Sequence, residues 1–230
     1  MESRALAVSQ LLSEFRRPEL LQIVALTLRV TGVALLLATL VGVPLGAFLG
    51  LVRFRGQRLI TLALYTGMGL PPVVVGLFVY MGLSRSGPFG SLGWLFTPAA
   101  MIVAQAIIAF PLVAGLTMSA VAGVDRAMHQ QMFALGASRW QIAWTVLQEA
   151  RVGVTAAIVA AFGGIISEVG AVMLVGGNID GQTRVLTTAI VLYTRQGDFA
   201  MAMALGVTLI TVAFAANVLL LRLQGRLGDR

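Results

Sequence analysis

Uninterrupted apolar runs longer than the roughly 18–20 residues that a helix needs to cross a bilayer make up most of this chain. In lipid every backbone N–H and C=O must find its partner within the protein, so each run has to be helical. The runs predict five spans, at about residues 20–52, 59–83, 97–122, 152–175 and 200–221. The first is long enough to begin as an interfacial stretch reaching Arg29. Of the 230 residues, 58% are hydrophobic and 11% charged, against about 25% charged in an ordinary soluble domain. The expected fold is therefore all-α, a polytopic membrane helix bundle forming a single domain over residues 1–230.

The charges that remain are informative by position. All 16 basic residues are arginine, and they outnumber the 9 acidic ones to give a net charge of +7. A basic surplus can mark a nucleic-acid binder, but these arginines sit at the ends of the apolar runs, where they orient a membrane protein; no nucleic-acid partner is expected. Arg53, Arg55, Arg58, Arg126, Arg139, Arg151, Arg222, Arg226 and Arg230 fall on one side of the predicted topology. Arg4, Arg16, Arg17, Arg85, Arg184 and Arg195 fall on the other. The richer side should be cytoplasmic, which puts the N-terminus outside and the C-terminus inside. The stretch Met1 to Glu19 lacks the basic-then-apolar layout of a cleavable signal, so the first span is expected to remain in the mature protein. With no cysteine and His129 as the only histidine, neither disulfides nor a thiolate or histidine-rich metal site can form within one chain.

Small residues recur at every fourth position in the first span (Ala34, Ala38, Gly42, Gly46, Gly50) and again at Gly115, Ser119 and Gly123. Such faces allow close helix packing in lipid. Each of the first three spans contains proline, at Pro44, at the pair Pro71 and Pro72, and at Pro111. A proline removes one helical hydrogen bond. The pair at 71–72 is expected either to kink the second span or to split it into half-helices around a cavity on the translocation path.

The predicted cytoplasmic loop, residues 125–150, is more than a connector. Asp125 can cap a short helix carrying Met128, Met132 and Leu135 on one face, and Gly136 can end it. Ser138 and Gln141 have capping-box spacing for a second helix that runs into the fourth span. Two short helices joined at a glycine, with Trp140 and Trp144 beside them, make a compact knob. The residues alone leave two uses open: docking a partner, or lying on the membrane with the methionines in lipid.

This loop resembles the EAA loop of ABC-importer permeases. Gln130, Gln131 and Met132 occupy the positions of the Glu-Ala-Ala triplet, followed by Phe133, Ala134, Leu135, Gly136, Ala137, Ser138, Arg139 and Trp140. Neither the triplet nor the family's later leucine-proline pair is retained, since Gln148 and Glu149 stand at the latter. A second match follows at the expected distance. Ile166-Ser167-Glu168-Val169-Gly170-Ala171 is similar to the fourth-span motif of molybdate and tungstate permeases, and the run from Gly176 to Ile190 resembles the external segment of tungstate-uptake permeases. The likeness extends from about Arg29 to Leu221.

The resemblance implies a type I importer permease in a bacterial or archaeal cytoplasmic membrane, working as a homodimer among membrane lipids. Two ATP-binding subunits would dock on the cytoplasmic loops, at Gln130, Gln131, Ala134, Leu135, Gly136, Ala137, Ser138 and Arg139. An extracytoplasmic solute-binding protein would deliver a tetrahedral oxyanion, tungstate first, with molybdate and then sulfate as alternatives. No cofactor is expected on this chain, and ATP with Mg belongs to the partner subunit. A phosphate-binding loop needs a lysine, and the sequence has none. Docking of the binding protein is expected on the external segment at Asn178, Asp180, Gln182 and Arg184, with a solvated linker as the plainer reading. Glu168 is the sole acid deep in a predicted span. A carboxylate repels a divalent oxyanion, so a structural role between helices is favoured over substrate contact. A secondary transporter should show coupling carboxylates and an internal repeat, neither of which is found. A membrane scaffold would need only partner-binding loops.

Overall fold

The computed structural model describes residues 18–226; the charged stretch before Pro18, and Arg230, lie outside them. Ten α-helices fill this region, α1 Pro18–Leu51, α2 Gln57–Met68, α3 Pro72–Leu83, α4 Pro98–Ala122, α5 Arg126–Ala134, α6 Arg139–Glu149, α7 Arg151–Ile166, α8 Gly170–Gly176, α9 Leu186–Arg195 and α10 Phe199–Arg226. A 3-10 turn at Gly90–Leu92 joins them, and no strand occurs among the described residues. Three stretches, Glu19–Leu51, Pro98–Ala122 and Phe199–Leu220, are each long and apolar enough to cross a membrane. Two broken helix pairs, α2 with α3 and α6 with α7, bring the possible spans to five.

The second predicted span is split rather than kinked. Helix α2 ends at Met68 and α3 begins at Pro72, with Pro71 as its N-cap. Proline is well placed there, because the first turn of a helix has no use for its missing N–H. Pro71 still offers its carbonyl to the amide of Val74 at 2.9 Å.

The fourth predicted span, 152–175, is also not one helix. The chain leaves α7 after Ile166 and restarts helical only at Gly170, so Ser167, Glu168 and Val169 form a break inside an apolar run. Periodicity could not reveal it, because both halves carry the same apolar composition.

The chain forms two compact units. One comprises, within the described residues, the chain up to Ala34, Pro71–Gln105 and Gly164–Asn217. Its core joins α1, α9 and α10 through Leu20, Ile23, Leu186, Ala189, Met201 and Leu205. In the same unit α3 lies directly on α8, where a Cβ on Gly76 would come within 2.6 Å of the Cα of Ala171. The other unit comprises Leu35–Leu70, Ala106–Gly163 and the chain from Val218. Here the small-residue face of α1 serves as a seat for α4: Gly42 and Gly50 face Val113 and Val121, and Gly46 faces Ala114 and Thr117. Leu49, Leu64, Ala114 and Met118 tie α2 to the same pair.

Candidate functional site

The loop at 125–150 folds as two capped helices. The Asp125 carboxylate accepts the Ala127 amide at 2.9 Å to start α5. Helix α6 opens on a full capping box: Ser138 Oγ accepts the Gln141 amide at 3.3 Å, and Gln141 Oε1 accepts the Ser138 amide at 2.8 Å. Between them Gly136 is left-handed, with φ 79°. Its amide donates to the carbonyl of Phe133 and that of Ala137 to Met132, both at 3.0 Å. This is the paired closure of a Schellman motif, which fixes the angle at which one helix leaves the other.

The knob is anchored by one face of α6, where Val146 and Ala150 are buried against Ala47 and Val121. Its other face is open. Phe133, Leu135, Trp140 and Trp144 are 76%, 86%, 78% and 55% exposed, and Gln130, Gln131, Ala134, Ser138 and Arg139 are exposed around them, with Ala137 half-buried. Leu135 therefore departs from the expected stripe: Met128 and Met132 are half-buried, while Leu135, past the last turn of α5, points outward. Exposed large apolar side chains on a doubly capped support suit fitting into a groove on another protein.

At the break between α7 and α8 the freed backbone groups are taken by side chains. Glu168 Oε1 accepts the Ala171 amide at 2.9 Å. Thr187 Oγ1 on α9 donates to the Glu168 carbonyl at 2.9 Å, and Gln105 Nε2 on α4 donates to the Ile165 carbonyl at 2.9 Å. Glu168 thus acts as a helix cap that lets α8 start inside an apolar surround. Sequence patterns assign no role to Gln105, Thr187 or Thr27. Thr27 accepts the Leu186 amide at 3.0 Å and so begins α9. Their signal was a lone polar residue within an apolar run, which in lipid needs a partner.

The cap makes a clear prediction. Glu168→Ala should lower stability by about 0.5–2 kcal/mol, whereas Glu168→Gln keeps an acceptor oxygen and should melt close to the parent in detergent. Equal losses for both would mean that the negative charge, not the cap, is what matters.

The segment from Gly176 to Val185, expected to face outward, is a tight, internally bonded loop. Thr183 is fully buried; its hydroxyl donates to the Gly176 carbonyl at 2.6 Å and accepts the Ile179 amide at 2.9 Å. Asn178 sits at φ 53°, a conformation asparagine tolerates better than most residues. Arg184 is folded inward with a side chain 15% exposed, and it pairs with Asp180 at 2.9 Å. Asp198 likewise is half-buried, capping α10 through the Met201 amide at 3.1 Å. Asp180, Gln182 and Arg195 are exposed. Such a loop presents a defined surface, because its own hydrogen bonds rather than a partner set its shape. Among the described residues no cluster of acids or histidine could hold a metal ion.

The family model for the inner membrane component of binding-protein-dependent transport systems matches residues 42–230. The chain belongs to this family. It is the membrane-spanning permease subunit of an ABC-type importer, a multi-pass transport subunit rather than an enzyme. The permease is 42% identical over 218 residues to the tungstate uptake system permease protein of Peptoclostridium acidaminophilum, covering 95% of each chain. It is 33% identical over 180 residues to the molybdenum transport system permease protein of Escherichia coli K12, covering 73% of this chain and 77% of that one. The inward-facing MetNI methionine ABC transporter superposes with a TM-score of 0.76 at 20% identity, over 90% of the permease and 95% of that chain. At that identity the likeness is one of fold, that of type I importer permeases.

Proposed function

We propose that this permease carries tungstate inward across the cytoplasmic membrane of a bacterium or archaeon, as a homodimer with two ATP-binding subunits and an extracytoplasmic binding protein. The observation that carries the substrate is the 42% identity, sustained over 95% of both chains, with a tungstate uptake permease. The molybdenum permease shares less, 33% over 73% of this chain, and keeps molybdate as the second reading. Tungstate and molybdate have nearly the same size and charge, so discrimination falls to the binding protein before the permease is engaged.

In this reading the knob centred on Gly136 docks on the ATP-binding subunit. Its open Phe133, Leu135, Trp140 and Trp144 supply the buried anchors of that interface. ATP and Mg stay on the partner, whose closure pushes on α5 and α6. The support for a rigid lever is the pair of caps and the burial of Val146 and Ala150 behind it. On the opposite side of the membrane, the loop with Asn178, Asp180, Gln182 and Arg184 receives the loaded binding protein.

The importer reconstituted in vesicles should hydrolyse ATP faster when its own binding protein arrives loaded with tungstate, and should accumulate tungstate inside. Stimulation by a sugar- or amino-acid-loaded binding protein, with none by an oxyanion-loaded one, would overturn the substrate and leave the importer class standing.

A further inference from the structure

A cavity of about 690 Å³ opens within the second unit, between α1, α2 and α4. Its polar lining is Arg53, Gln57, Thr61, Tyr65 and Ser119, and no carboxylate borders it. Two cavities nearby differ in that respect, one lined by Glu149 and Arg151 and the other by Asp125 and Glu149. Gln57, Thr61 and Tyr65 recur at every fourth position of α2, so they stand on one helix face. From Gln57 to Tyr65 they rise over eight residues of α2, about 12 Å of helix, with the exposed Arg53 in the segment just before it.

These groups are underused. Arg53 is exposed and has no carboxylate partner among the described residues. The Thr61 hydroxyl reaches only the Met118 sulfur, at 3.7 Å, and a thioether is a weak acceptor. Ser119 Oγ donates to the Gly115 carbonyl at 3.1 Å, which leaves Tyr65 as donor in its contact with Ser119 at 3.5 Å, beyond the usual O–H···O range. Gln57 is fixed by one N–H on the Leu49 carbonyl at 2.6 Å, so its second N–H remains to be used. One guanidinium, two loosely held hydroxyl protons and an amide, with no competing acid, make a donor set for a tetrahedral oxyanion.

We infer that this cavity is a binding site for the transported oxyanion on the cytoplasmic side, with Arg53 at its mouth and the Thr61 and Tyr65 hydroxyls farther along α2. The inference rests on the proposed orientation and substrate. An anionic lipid headgroup offers the same chemistry, but it would be held at the helix end alone. Neutral donors continuing two turns into the span suit a small ion that moves.

The test uses the full-length permease in phosphatidylcholine nanodiscs, titrated with tungstate by equilibrium dialysis. Binding should saturate, and Arg53→Gln should weaken it about tenfold. Tyr65→Phe and Thr61→Val, which keep shape, should each weaken it by a factor of about three to ten. Arg55→Gln, outside the cavity, should leave it unchanged. Failure to saturate, or equal loss from Arg53→Gln and Arg55→Gln, overturns the site. So does retention of phosphatidylglycerol by the parent but not by Arg53→Gln with no tungstate bound, which assigns the cavity to a headgroup. Molybdate and sulfate in the same discs separate this inference from the substrate reading. If the importer carries one of those ions instead, that ion should show the Arg53 dependence. If vesicles import tungstate and Arg53→Gln binds it normally, only the cavity assignment falls.

Discussion

Gly136→Val should cut import by about tenfold or more while the protein still inserts and folds, because the strain it adds, on the order of 1–3 kcal/mol, falls on the knob alone. Gly136 has φ 79°, in the left-handed region that a β-branched residue resists, and a Cβ there would meet nothing within 4 Å. The fault is thus in the backbone and not in crowding. Relieving it means opening the closure formed by the Gly136 and Ala137 amides on Phe133 and Met132, and that turns α5 against α6. Gly136→Asn is the control, since asparagine visits this region at little cost, and it should retain most activity. Uptake in vesicles read beside the melting temperature separates the two effects. Normal uptake by Gly136→Val would mean that the loop is not a close-fitting lever.

Gly76→Val should be lost at folding. The added Cβ would stand 2.6 Å from the Cα of Ala171 and 3.2 Å from its carbonyl oxygen, so backbone, not a mobile side-chain tip, is in the way. Helix α3 would have to lift from α8, disturbing the cap that Glu168 makes at the Ala171 amide. Overpacking of this kind costs about 1–3 kcal/mol before any helix separates. Helices in lipid have little besides packing to hold them, so the melting temperature in detergent should drop sharply and the folded yield with it. Gly32→Val is the matched control: Gly32 is exposed on α1 and a Cβ there meets nothing within 4 Å. Similar behaviour of the two variants would show that close approach at Gly76 does not hold α3 in place.

What the sequence alone determined is what lipid and local hydrogen bonding dictate. Apolar runs in a solvent without hydrogen bonds must be helices, so the three long spans were legible from length and composition, as were the caps of α5 and α6, whose donors and acceptors lie within three residues of one another. The Gly136 turn was legible for the same reason, because its geometry is decided by one residue's freedom at φ. Where partners are far apart in the chain, the sequence was silent. The Glu168 break depends on Gln105 reaching Ile165 from 60 residues away and on Thr187 reaching Glu168 from 19, and no local pattern encodes either bond. Arg184 looks like a free surface charge in the sequence, yet the loop that Thr183 organises folds it inward onto Asp180. Only tertiary structure decides such cases, since a polar group in an apolar run states that it needs a partner but not which one, and close packing against a neighbouring helix makes the choice.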